Sequence, residues 1–219
     1  FLCFLVSSLS YSQSGWIHQN SNVNKNLNDV FFINSNTGWI VADSTKILRT
    51  TNSGQTWTNQ TLSYYTPLYS IYFINENTGW AAGGYQYIVN SGAVYKTTNG
   101  GIKWYRISYA GVTKDVYFLN ENTGFISGGS GEGESHGGTS KTTNGGSNWN
   151  STSTYSNSYI IESVCFNNST GWACGYRLDD VGNDTSIILK STDSGDSWEM
   201  KYLAGSNHNW SDRLKKIFN

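Results

Sequence analysis

Proline and methionine are nearly absent from this 219-residue chain, at one residue each, and charged residues make up only 13% of it, about half the usual share. The 14 Lys and Arg are matched by 15 Asp and Glu, for a formal net charge of −1. With no surplus of positive charge to release counterions, a nucleic-acid binder working through a basic field is excluded. Ala, Glu, Lys and Leu do not dominate, which excludes a coiled coil or a helical bundle. Beyond the first few residues no segment is apolar enough to span a membrane. The chain has no G-x-S-x-G elbow, no H-E-x-x-H pair and no phosphate-binding loop, and nothing in it calls for a cofactor.

Aromatic residues supply what charge does not. There are 9 Trp, 15 Tyr and 9 Phe, set among 24 Gly. That much apolar surface excludes intrinsic disorder, and aromatics interspersed with Gly, Asn, Ser and Thr predict many short strands joined by tight turns. The N-terminus reads differently. Phe1 to Leu9 is an apolar run too short to cross a bilayer, followed by the small-x-small step Ser10-Tyr11-Ser12. Residues 1–12 therefore read as a signal-peptide remnant cleaved before Gln13, with a buried first strand as the plainer alternative. The expected location is secreted, periplasmic or on a bacterial cell surface.

Internal repetition is the strongest signal. The block Thr50-Thr51-Asn52-Ser53-Gly54-Gln55-Thr56-Trp57 returns at 97–104, 142–149 and 191–198, its Asn or Asp recurring after 47, 45 and 49 residues. Ahead of each stands Asn36-Thr37-Gly38-Trp39 or its counterpart at 77–80, 122–125 and 169–172, and ahead of that a short apolar strand such as Val30-Phe31-Phe32-Ile33. Each period holds four strands, in the first copy 30–33, 38–42, 46–50 and 57–61. A unit of that size with four strands is a propeller blade, which needs neighbours to bury its faces. The expected fold is all-β: a β-propeller of four-stranded antiparallel blades over residues 13–219. About four blades are complete, at approximately 27–62, 68–108, 113–153 and 160–203, and a fifth begins at 214. Ser14 to Gln19 looks like a latch strand. A ring of six to eight blades needs roughly 270–360 residues, so the ring is expected to be incomplete and its missing blades are themselves expected partners.

The block S/T-x-D/N-x-G-x-x-W resembles the Asp box of sialidase-type (BNR-type) repeat propellers. That resemblance implies a structural hairpin between strands three and four, carried by Asn52, Gly54 and Trp57, Asn99, Gly101 and Trp104, Asn144, Gly146 and Trp149, and Asp193, Gly195 and Trp198. The Asn or Asp side chain accepts N–H bonds across its own turn, Gly takes positive φ and Trp anchors the hairpin. The whole pattern resembles the photosystem II assembly/stability factor family and its secreted bacterial relatives. That resemblance implies a non-enzymatic scaffold that binds a protein or a cell-surface glycan.

Positions alike in every copy are scaffold, so function is expected in the irregular connections between strands two and three and between blades. Those connections are rich in tyrosine: Tyr64, Tyr65, Tyr85, Tyr87, Tyr109, Tyr155, Tyr159 and Tyr176, with Trp210. Exposed aromatics there suit glycan stacking or a protein partner; the plain alternative is packing between blades. The loop 178–185 offers Asp179, Asp180 and Asp184 as a weak Ca²⁺ set, and 128–138 offers Glu132, Glu134 and His136, but neither follows calcium-loop spacing and no metal is assigned.

The residue preceding each first strand is expected to ring the channel mouth: Asp29, Ser70, Asp115, Ser163 and Lys216. Asp29 and Asp115 are the alternative catalytic pair, for a sialidase-like or glucan glycoside hydrolase. A sialidase needs three converging arginines, yet only Arg49, Arg106, Arg177 and Arg213 exist, and Arg49 is read as sharing a repeat slot with Lys96, Ser140 and Lys190. Cys165 and Cys174 face each other if Ser169-Thr170 forms the turn, which leaves a cross-strand disulfide and two buried thiols as open readings.

Overall fold

The computed structural model describes residues 18–62, 65–85, 92–108, 111–129, 137–152, 159–178, 184–203 and 216. They form four four-stranded antiparallel meanders, with no helix among the described residues. Blade 1 is β1 (Leu27–Phe32), β2 (Gly38–Ala42), β3 (Lys46–Thr50) and β4 (Thr58–Thr61); blade 2 is β5 (Leu68–Phe73), β6 (Gly79–Gly83), β7 (Ala93–Thr97) and β8 (Tyr105–Ser108). Blade 3 is β9 (Thr113–Phe118), β10 (Gly124–Gly128), β11 (Gly138–Thr142) and β12 (Asn150–Ser151); blade 4 is β13 (Tyr159–Asn167), β14 (Thr170–Leu178), β15 (Asp184–Ser191) and β16 (Glu199–Leu203). The first strands lie side by side around the axis, and the second strand of each blade packs on the first strand of the next. The chain is an all-β, incomplete propeller.

The core lies between the blades, because each sheet has apolar residues on both faces. Trp39, Leu68, Ile71 and Phe73 fill the first junction, Trp80, Val116 and Phe118 the second, and Phe125, Val164 and Phe166 the third. Each junction is an aromatic sandwich. Trp39 stacks on Phe73 at 3.6 Å, Trp80 on Phe118 at 3.5 Å and Phe125 on Phe166 at 3.9 Å. Trp104, Trp149 and Trp198 then meet the same phenylalanines edge-on. This explains the glycine of the N-T-G-W block, which opens β6 rather than shaping the turn. Gly79 is paired with Phe73, and a Cβ there would lie 2.5 Å from the Phe73 ring.

The repeated turn between strands three and four is closed by two side chains. Asn99 Oδ1 accepts from Lys103 N at 2.9 Å, while Thr97 Oγ1 accepts from Gly101 N at 2.9 Å and donates to Asn99 Oδ1 at 3.0 Å. Blade 4 repeats this with Asp193 and Ser191. The Asp193 carboxyl is held well below the usual carboxylate range, first by the Ser197 hydroxyl and N–H and then by Ser191. Gly101 has φ of +86°, and the residue before each such glycine is also left-handed, including Ser53 at +60° and Ser194 at +58°.

Two expectations are corrected by the register. The first strand begins at Leu27 rather than Val30, because a β-bulge at Asn28, repeated at Tyr69, Lys114 and Glu162, lets pairing continue past it. Asp29, Ser70, Asp115 and Ser163 therefore sit inside their strands. In blade 4 the turn is Asn168-Ser169, with Asn168 at φ +55°, so Cys165 pairs with Trp172 and Cys174 with Ser163. The two cysteines are diagonal neighbours, not a facing pair, and both are buried free thiols.

Candidate functional site: the channel-mouth cleft

An open first strand leaves a row of unpaired backbone groups along the axis. The channel-mouth side chains answer them across the blade junctions. Asp29 Oδ2 accepts from Ile71 N at 3.0 Å, Ser70 Oγ accepts from Val116 N at 3.3 Å and Asp115 Oδ2 accepts from Val164 N at 3.0 Å. Each blade thus holds the next through one side chain at one repeat position.

Asp115 is the centre of this set and is only 4% exposed. Its Oδ1 accepts from Ser70 Oγ at 2.7 Å, its own neighbour Val116 N at 3.1 Å and Lys216 Nζ at 3.3 Å. Its Oδ2 accepts from Ser163 Oγ at 2.7 Å and Val164 N at 3.0 Å. A carboxylate has about four lone-pair sites, so these five donors leave none for a substrate. Asp29 is half-buried and has fewer partners, Val30 N and Ile71 N. Burial pushes its carboxyl above the usual value, Lys216 and the two N–H groups pull it down, and Asp115 pushes it up again.

Four of the five predicted positions, Asp29, Ser70, Asp115 and Lys216, line a cleft of about 410 Å³, to which Tyr72, Tyr117 and Cys165 add an inner tier. Phe31, Tyr72 and Tyr117 step around it at 5.2 and 4.8 Å between rings. Cys165 occupies the slot that these aromatics fill in the other blades, and burial, followed by the Asp115 carboxylate, pushes its thiol up. Sequence reasoning missed this tier. Its signal was present as the second residue after each channel-mouth position.

The tyrosines expected on the irregular face divide. Tyr65 is 74% exposed, and the Tyr85 hydroxyl donates to the Tyr65 carbonyl at 3.1 Å, which places a strand two–three connection beside an inter-blade one. Tyr159 and Tyr176 are buried, which corrects their reading as surface aromatics: blade 4 has long strands whose ends pack these rings. Tyr64, Tyr87, Tyr109, Tyr155 and Trp210 lie outside the described residues, as do Asp179, Asp180, Glu132, Glu134 and His136. Asp184 closes the blade 4 hairpin opposite Leu178. Among the described residues no three His, Cys, Asp or Glu gather as a metal site.

The repeat slot of Arg49 is also corrected. The register places Lys141, not Ser140, in it, because Lys141 pairs with Phe125 as Arg49 pairs with Trp39. The slot holds a cation over an aromatic ring in every blade, Lys96 over Trp80 at 5.0 Å and Lys190 over Trp172 at 5.0 Å among them. It belongs to the blade junctions and does not aim an arginine into the cleft.

Four four-stranded blades joined through three aromatic sandwiches make an incomplete β-propeller whose repeated turns resemble those of the BNR type. Within that class the chain resembles the photosystem II assembly factor: residues 9–110 match the family described as "Photosynthesis system II assembly factor YCF48". The structure is similar to that of YCF48 bound to a D1 peptide, at 14% identity and a TM-score of 0.55, covering 82% of this chain and 83% of that one. YCF48 from Cyanidioschyzon merolae is 22% identical with a TM-score of 0.56, over 80% of this chain and 56% of that one. An ancestral GH74 enzyme is 19% identical with a TM-score of 0.65, over 83% of this chain but only 26% of its own length. At these identities the likeness is one of fold. No curated protein sequence matches the chain. No helix among the described residues is long and apolar enough to cross a membrane.

Proposed function

We propose that this propeller is an exported, non-catalytic scaffold that holds a protein segment on the face carrying the irregular connections, with a cell-surface glycan as the other ligand of that face. The observation that carries the reading is Asp115. The carboxylate that would have to serve hydrolysis has every lone pair engaged in holding blades 2, 3 and 4 together. Support also comes from the family match over residues 9–110 and from the related propeller whose structure contains a bound D1 peptide. Tyr65 and Tyr85 are the contact residues assigned to the ligand.

The rival reading, a glycoside hydrolase, rests on Asp29, whose raised carboxyl is the property of a general acid. Turnover of a panel of sialosides and β-glucans by the wild-type chain and by Asp29→Asn and Asp115→Asn decides between them. The scaffold reading expects no turnover, and peptide or glycan-array binding that weakens in Tyr65→Ala and Tyr85→Ala. Turnover lost in either aspartate variant would sink it.

A further inference from the structure

Two of the repeated turns contain a chemically labile step, Asn99-Gly100 and Asn144-Gly145. In an open chain the glycine nitrogen, with no side chain beside it, attacks the asparagine Cγ. The N–Cγ bond forms, the Cγ–Nδ2 bond breaks, and the nitrogen's proton leaves with ammonia. A succinimide remains, and water opens it at either carbonyl to give aspartate or isoaspartate. Asn99 and Asn144 are both exposed, at the turns between strands three and four. The glycine is there for a conformational reason. Gly100 and Gly145 have φ of +69° and +70°, left-handed values that Ser53 and Ser194 adopt at the same place in blades 1 and 4.

The fold holds both reacting groups apart. The Gly100 N–H donates to the Asn77 carbonyl at 2.8 Å and the Gly145 N–H to the Asn122 carbonyl at 2.8 Å. Ser53 N–H to Asn36 and Ser194 N–H to Ser169, both at 2.9 Å, repeat the bond in blades 1 and 4. It ties the strand three–four turn to the strand one–two turn of the same blade. Both glycines are buried, and a Cβ on Gly100 would lie 2.9 Å from the Glu76 carbonyl. An imide nitrogen carries no hydrogen, so ring closure must give up this bond. The electrophile is held as well. Asn99 Oδ1 is fixed by Lys103 N and the Thr97 hydroxyl, and Asn144 Oδ1 by Asn148 N at 2.9 Å and the Thr142 hydroxyl at 3.0 Å.

We infer that Asn99 and Asn144 are latent succinimide-forming modification sites, kept closed by the hydrogen bond between the two repeated turns and opened only when those turns separate. The two products differ in consequence. Aspartate keeps the acceptor oxygen and is what Asp193 supplies in blade 4. Isoaspartate adds a methylene to the backbone and carries the Gly101 N–H away from Thr97 Oγ1, so the turn does not close again.

Incubation of the purified chain in mildly alkaline buffer, folded or denatured in guanidinium chloride, tests this. Peptide mass mapping reads amide loss at each site, and enzymatic carboxyl methylation reads isoaspartate. Both sites are expected to react about 100-fold more slowly in the folded chain, where reaction waits on local opening. Thr97→Val removes one clamp and is expected to speed Asn99 about tenfold while leaving Asn144 unchanged; Thr142→Val should do the reverse. Far-UV circular dichroism checks that each variant keeps its fold. Hydrogen exchange on the wild type needs no variant, and the Gly100 and Gly145 amides are expected to be protected. Equal rates in folded and denatured chain, freely exchanging glycine amides, or a Thr97→Val chain that is unchanged at Asn99 or equally faster at both sites would each overturn the inference.

Discussion

Trp39 lies flat on Phe73 across the junction of blades 1 and 2, with ring centroids 3.6 Å apart and planes within 9°. Its indole N–H reaches the Gly100 carbonyl at 3.0 Å. One residue of β2 therefore holds β5 and the turn between β7 and β8 of the next blade.

Replacing it separates the two contributions. Trp39→Ala empties a fully buried site and is expected to cost about 3–5 kcal/mol. Trp39→Phe keeps the stack and loses the hydrogen bond, at about 1 kcal/mol for the bond itself. Urea denaturation followed by tryptophan fluorescence or circular dichroism gives both values, and equal losses would contradict the division.

Asp115 is expected to matter for stability. Asp115→Ala strands the Ser70 and Ser163 hydroxyls, the Val164 N–H and the Lys216 ammonium, and is expected to cost about 3–5 kcal/mol. Asp115→Asn keeps an acceptor oxygen and should cost less. Thermal unfolding reads the order, and a fully stable alanine variant would show that the clamp holds nothing.

Asp29 predicts a pH dependence. Its folded carboxyl is raised above the ordinary 3.8, chiefly by burial. The folded state therefore holds its proton more tightly than the unfolded state. The resulting stability is present below the ordinary value and is lost as pH rises through the raised one. Relative to Asp29→Asn, the wild-type melting temperature should fall as pH rises out of the ordinary carboxylate range. A difference that is flat with pH would contradict the assignment.

The thiols predict the opposite end of the scale. Burial pushes Cys174 from 9.0 up to about 12, with repulsion from Asp115 next. Unfolded thiol ionises first, so stability is expected to fall as pH rises from 9.0 towards about 12. At neutral pH neither Cys165 nor Cys174 should react with iodoacetamide in the folded chain. Both should react in denaturant without reductant, and protection that persists there would mean a disulfide.

The turn hydroxyl is a final case. Thr97→Val keeps the shape and deletes the acceptor of the Gly101 and Asn99 N–H groups, at about 1–3 kcal/mol. Asn99→Asp keeps its acceptor and should be tolerated in the same unfolding assay, since Asp193 fills that place in blade 4.

Much of this was legible in the sequence because it is local and repeated. Four copies of one turn and four of one Gly-aromatic step were enough to declare four-stranded blades. The channel-mouth positions were found for the same reason, and Asp29, Ser70, Asp115 and Lys216 do share one cleft. What was misread depended on single-residue offsets. The blade 4 turn lies one residue earlier than expected, at Asn168-Ser169, which moved the pairing of Cys165 and Cys174 by two, and a bulge in each first strand moved Asp29 into its strand. Tyr159 and Tyr176 were misplaced because a connection in three blades is extended strand in the fourth.

The sequence by itself determined the class of fold, the blade period and the scaffold turns, because those follow from side chains acting within a few residues of their own position. Only the tertiary structure decided what the channel-mouth carboxylates do. Asp115 collects four of its five partners from positions 45 to 101 residues away. No local pattern announces that a carboxylate able in principle to do acid–base chemistry has spent its lone pairs joining one blade to its neighbours.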